Sequence, residues 1–129
     1  MDDILGYSGK TVVITGAASG MGQAAAQLLV DLGAQVIALD IAPVTVSVAS
    51  AIKVDMKDPA SIDAAAHAIP QAIYALCNCA GVPCPPFATS DKLPMHLVGL
   101  TYLTEALLPR LDASRPMAAT PTRRRPRWH

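Results

Sequence analysis

Thr15-Gly16-Ala17-Ala18-Ser19-Gly20-Met21-Gly22 is the stretch of this sequence whose residue types and spacing suit chemistry. Gly16 can take a positive φ in a sharp turn. Gly20 and Gly22 lack a Cβ, so a ligand and the first turn of a helix can come close to the backbone. Amides exposed in this way hold an anion such as a pyrophosphate, most strongly at the positive end of a helix dipole. The spacing is G-x-x-x-G-x-G, which differs from the dinucleotide-binding G-x-G-x-x-G, so an ordinary glycine-rich turn stays open at this point. Asp40 closes a second apolar run, at about the spacing along the chain where a carboxylate can hold the hydroxyls of an adenosine ribose.

The elements that must position these residues follow from the pattern around them. Residues 11–14, Thr-Val-Val-Ile, form a β-branched run that reads as a buried strand, and residues 23–32 read as a helix closed by Gly33. A second strand spans 35–40. The segment 41–53 contains Pro43 and alternating Val44, Val46 and Val48, and is too short for a crossover helix. A third strand at 51–54 ends at Asp55-Met56, where the plain reading of Asp55 is a solvated acid. Asp58 and Pro59 open a helix that Pro70 stops. A fourth strand, 73–77, leads into Asn78-Cys79-Ala80-Gly81. After a stiff loop at 83–87, apolar positions three and four apart predict a helix over 93–111, with one stripe inward and a second able to face a partner subunit. The expected core is Val12, Val13, Ile14, Leu28, Val36, Ile37, Leu39, Ile52, Val54, Leu76 and Cys77.

Composition narrows the classes. The chain has 129 residues, 52% of them hydrophobic, which suits one small domain with a core rather than disorder. Net charge is zero but unevenly placed: residues 1–109 carry nine acids and four lysines, and residues 110–129 carry six arginines and one acid. Residues 112–129, Arg- and Pro-rich, read as a solvated, disordered tail; a nucleic-acid contact through Arg123, Arg124, Arg125, Arg127 and Trp128 is the weaker reading. The acidic start and the lack of an apolar run of membrane length predict no leader, no membrane span and a cytoplasmic protein. Cys77, Cys79 and Cys84 are odd in number and lack a fourth ligand at fixed spacing, so no metal site is expected. His67, in an alanine-rich helix without a nearby acid or nucleophile, reads as a surface residue.

Thr15-Gly16-(x)3-Gly20-x-Gly22 resembles the cofactor fingerprint of the short-chain dehydrogenase/reductase family over about residues 9–111. Asn78-Cys79-Ala80-Gly81 is similar to the family's N-N-A-G motif, with Cys79 in place of the second Asn. The resemblance implies an α/β fold, a Rossmann-like doubly wound parallel sheet that stops after about four strands in the order 3-2-1-4. It implies a dinucleotide site of Gly16, Ser19, Gly20, Met21, Gly22, Asp40, Ile41, Asp55, Met56, Asn78, Ala80 and Gly81. Within it Asp55 and the Met56 backbone would meet the adenine ring, Asn78 would tie the central strands, and the Ala80-Gly81 backbone would pass the ribose. Asp40 and the absence of Arg or Lys in the glycine turn imply NAD rather than NADP. The family transfers hydride between nicotinamide and a secondary alcohol or ketone, and the short link between strands two and three resembles the bacterial 3α-hydroxysteroid dehydrogenase/carbonyl reductase types. The 93–111 helix would then serve as a homo-oligomer interface.

The catalytic half of that pattern is missing. Four residues beyond Tyr7, Tyr74 and Tyr102 stand Thr11, Asn78 and Ala106, so there is no Tyr-x-x-x-Lys, and no fifth strand carries the family's Ser. His96 occupies the position of the family's relay Asn, and an imidazole has a different donor geometry, so no catalytic residue is assigned. The expectation is an N-terminal cofactor-binding part, residues 1–111, shortened or read out of frame afterwards and inactive alone. The alternative is a non-catalytic nucleotide-binding or interaction module with a basic tail.

Overall fold

The computed structural model describes residues 5–70, 72–80 and 99–114. In chain order they form β1 (Thr11–Thr15), α1 (Gly20–Asp31), β2 (Gln35–Asp40), β3 (Ser50–Lys53), α2 (Pro59–Ala68), β4 (Ala75–Asn78) and α3 (Leu100–Ser114). The four strands pair in parallel in the order β3-β2-β1-β4, as expected. β1 and β2 are central and buried on both faces, which is why they read as continuous apolar runs rather than alternating ones.

Alternate residues of those strands serve opposite layers. Val12, Ile14, Val36 and Ala38 pack with Ala26 and Leu29 of α1. Val13, Ile37 and Leu39 pack on the other side with Ile62, Ala65 and Ala66 of α2 and Leu103 and Leu107 of α3. Helices therefore cover both faces of the sheet. The link from β2 to β3 contains no helix, and its Val44, Val46 and Val48 pack partly buried on the α1 side.

Asp58 caps α2 by accepting the Ala60 amide at 3.0 Å, with Pro59 at the first helical position. The other end of α2 is held by Arg110 of α3, whose guanidinium donates to the carbonyls of Ala66 and Ile69. The Ala66 carbonyl also accepts the Ile69 amide at the end of the helix, so the guanidinium adds a second donor there and complements the dipole.

Three expectations need correction. Leu28 is not core but 59% exposed: the buried face of α1 runs through Gly22, Ala26 and Leu29, and Leu28 lies about 200° around the helix from Ala26. Ile52, Leu76 and Cys77 are only partly buried because β3 and β4 are the outer strands of the described sheet. α3 continues to Ser114 rather than ending at Leu111, since nothing in Asp112-Ala113-Ser114 breaks a helix before Pro116. Its expected start at Leu93, along with Gly81, Cys84, the 83–87 loop, His96 and residues 115–129 of the tail, lies outside the described residues.

Candidate functional site

The turn from β1 into α1 is pressed between two other pieces of backbone. Gly16 has φ +71° and its amide donates to the Leu39 carbonyl at 2.8 Å. A Cβ on Gly16 would lie 2.7 Å from the N and Cα of Ala80, just past β4. A Cβ on Gly22 would lie 2.0 Å from the Gly16 carbonyl oxygen. No side chain fits at either position. Gly20 differs: its φ is +58°, but nothing lies within 4 Å of where its Cβ would be, so it borders open space. Ser19 is the extended N-cap of α1 and its hydroxyl makes no capping bond.

That open space is a cleft of about 530 Å³ at the carboxyl ends of the strands. Gly16, Ser19, Gly20 and Met21 form one side, and Asp40 and Ile41 follow β2. Asp55, Met56 and Lys57 come from the turn after β3, and Cys79 and Ala80 from the end of β4. Such a crevice, where connections leave an open parallel sheet in opposite directions, is where α/β folds bind ligands. Met21 and Ile41 are 81% and 56% exposed and give it an apolar mouth. Of the sequence-predicted site residues, Gly22 and Asn78 do not line the cleft but stand behind its wall.

The acids are held by backbone. Asp40 Oδ2 accepts the Ala18 amide and Oδ1 the Ala42 amide, both at 2.9 Å, so the carboxylate is braced across the β1–α1 turn. Asp55 Oδ1 accepts the Lys57 amide at 2.9 Å, and its own amide donates to Ser61 Oγ at 2.9 Å. Thr15, fully buried, ties the far wall: its Oγ1 accepts the amides of Cys79 and Ala80 at 3.1 Å each and donates to Asn78 Oδ1 at 3.3 Å.

Sequence reasoning missed Leu39, Val54, Lys57 and Cys79 as lining residues. Leu39 and Val54 directly precede the two acids, so their place at the strand ends was a usable signal. Lys57 was hidden in an ordinary-looking Met-Lys-Asp turn. His67 is exposed, with Nδ1 on the Asp63 carbonyl at 2.7 Å, away from the cleft.

The short chain dehydrogenase model matches residues 10–115. The chain belongs to the short chain dehydrogenase family. It is 37% identical over 106 residues to a coniferyl-alcohol dehydrogenase of Pseudomonas sp. strain HR199, covering 80% of this chain and 40% of that one. The chain thus spans about two fifths of that relative's length. Among solved structures it is similar to the ligand-free aldohexose dehydrogenase of Thermoplasma acidophilum, at 28% identity and TM-score 0.76, over 85% of this chain and 47% of that one. A short chain dehydrogenase from Streptomyces avermitilis matches at 30% identity and TM-score 0.68, over 82% and 46% of the two chains. The family is one of oxidoreductases, and the parallel sheet with its helices is the architecture this chain shares with those structures. Among the described residues no helix is long and apolar enough to cross a membrane.

Cys77 lies on β4 beside this cleft wall. Burial, and then its neighbour Cys79, push its thiol above the ordinary range, so the reactive thiolate forms only at more alkaline pH. Alkylation of Cys77 in the folded chain is expected to lag behind the urea-unfolded chain at pH 8, with the gap narrowing as pH rises. Fragment mass spectrometry after timed iodoacetamide treatment reads this directly. Equal rates in both states at pH 8 would show the expectation to be wrong.

Proposed function

We propose that this chain binds a nicotinamide dinucleotide in the strand-end cleft, with NAD preferred to NADP, as the cofactor-binding unit (residues 1–111) of a short chain dehydrogenase. The observation that carries this reading is the cradle at Gly16 and Gly22, where a Cβ would fall 2.7 and 2.0 Å from backbone. The main chain there is kept bare beside an open cleft at a helix N-terminus, as close approach to a pyrophosphate requires. Gly16, Ser19, Gly20 and Met21 would hold the phosphates, and Gly22 lets that turn pack. Asp40 and Ile41 would hold the adenosine ribose, Asp55 and Met56 the adenine, and the Ala80-Gly81 backbone would pass the second ribose, with Asn78 tying the strands behind it.

When bound, the dinucleotide supplies hydride transfer at its nicotinamide. The family's substrates are small alcohols and ketones, and two of the three relatives carry such substrates in their names, coniferyl alcohol and an aldohexose. Nothing favours a hydroxysteroid over these. The acid/base pair that such a transfer needs, a Tyr with a Lys four residues on, does not occur in the sequence. We therefore read the chain as binding cofactor without turning over substrate by itself. A cytoplasmic location and self-association through α3 accompany this reading.

Calorimetric titration of the full chain with NAD and NADP is the direct test. Saturable binding of NAD, tighter than NADP, is expected, together with background rates only against a panel of secondary alcohols. Absence of saturable heat with either cofactor overturns the binding, and tighter NADP overturns the preference.

A further inference from the structure

We propose that α3 is the positioning element of the cleft, with Gly99 seating one wall and Thr104 holding the other. Gly99 immediately precedes α3 and is buried. A Cβ there would lie 2.1 Å from the Met56 carbonyl oxygen, so the chain entering α3 rests directly on the backbone of a cleft residue. Met56 is itself in the core that contains Leu103 and Leu107, so α3 supports that wall from below.

Thr104 reaches the other wall through a chain of hydrogen bonds whose direction is fully determined. The Thr15 hydroxyl accepts the Ala80 amide and shares the Cys79 amide with the Thr15 carbonyl, so its proton goes to Asn78 Oδ1. Asn78 must then present its amide nitrogen to α3, where it donates to Thr104 Oγ1 at 2.9 Å. With that acceptor site used, the Thr104 hydroxyl donates to the Leu100 carbonyl at 2.7 Å. Reversing the chain would leave the Thr15 hydroxyl proton with no acceptor among these groups. The chain links α3 to the Cys79-Ala80 backbone that lines the cleft, and neither Thr104 nor Asn78 lines it.

The consequence for ligand affinity rests on the dinucleotide reading, but the wall's order in the free protein does not, and this separates the two. In the full chain without ligand, Thr104→Val is expected to speed amide hydrogen exchange at Cys79 and Ala80 about fivefold, leaving Val13 and Ile37 unchanged. NAD affinity measured by calorimetry falls by a similar factor, about fivefold. Thr104→Ser, which keeps the hydroxyl, restores both. Gly99→Ala weakens NAD more than about tenfold by moving Met56. Unchanged exchange at Cys79 and Ala80 in Thr104→Val, or faster exchange across the whole sheet, overturns the proposal for Thr104. NAD affinity in a folded Gly99→Ala within about twofold of the parent overturns it for Gly99; if that variant does not fold, the Thr104 pair decides. If exchange responds as expected while the parent chain binds no NAD, the positioning role stands and the dinucleotide reading fails.

Discussion

Gly22→Ala is expected to destabilise the chain by about 2–4 kcal/mol and to abolish measurable dinucleotide binding. The new methyl would sit 2.0 Å from the Gly16 carbonyl oxygen and 2.6 Å from its carbon. Both are backbone atoms, so no side-chain rotation relieves the overlap, and either α1 or the β1–α1 turn must move. The turn cannot give toward β4, because Gly16 already abuts Cys79 and Ala80. Any shift therefore displaces the amides that face the cleft. Urea unfolding measures the stability loss and calorimetry the binding. Gly20→Ala is the control: it meets no neighbour within 4 Å, so only the cost of its φ of +58° remains, about 1–2 kcal/mol. A Gly22→Ala chain as stable as Gly20→Ala would show that this contact is not the one that shapes the turn.

Asp40→Ala is expected to shift the ratio of NAD to NADP affinity by about a hundredfold toward NADP. A 2′-phosphate carries a charge of about −1.5 to −2 near pH 7, and a carboxylate at its binding position repels it. Two unit charges about 4 Å apart interact by about 4 kcal/mol at an effective dielectric of 20, and screening at this partly exposed site reduces that to about 2–3 kcal/mol, the hundredfold shift. The substitution also frees the Ala18 and Ala42 amides that the carboxylate now occupies. Both then become donors available to a phosphate. Asp40→Asn separates the two effects, since it removes the charge while keeping an oxygen for one of the amides. Parallel titrations with both cofactors give the ratio for all three chains. An unchanged ratio in Asp40→Ala would mean that the discrimination lies elsewhere, with Lys57 the next residue of the cleft to test.

Much of this architecture was legible along the chain because it depends on local pattern. The β-branched run at 11–14, the Gly33 stop, the Asp58-Pro59 cap and the short, proline-containing segment at 41–53 each specify an element without reference to distant residues. The parallel order 3-2-1-4 came from the family resemblance that the glycine motif carries, and the handedness of crossovers is consistent with it. The glycine spacing and the acids at strand ends located the cleft, because a residue at the carboxyl end of a parallel strand has little choice of where to point.

What the tertiary structure alone decided were relations between segments far apart in sequence. Leu28 looked like core by type, but the rotation of α1 on the sheet put Gly22, Ala26 and Leu29 inward and left it exposed. Gly16 must be glycine because of Ala80, 64 positions away, and Gly99 because of Met56; neither constraint is visible in a window of sequence. The same holds for Arg110 closing the end of α2, and for the hydrogen bonds running from Thr15 through Asn78 to Thr104. The physical reason is common to all of them. Periodicity and capping act within a turn or two of one element, whereas a close backbone contact or a directed hydrogen bond depends on how separate elements are packed, to a fraction of an ångström.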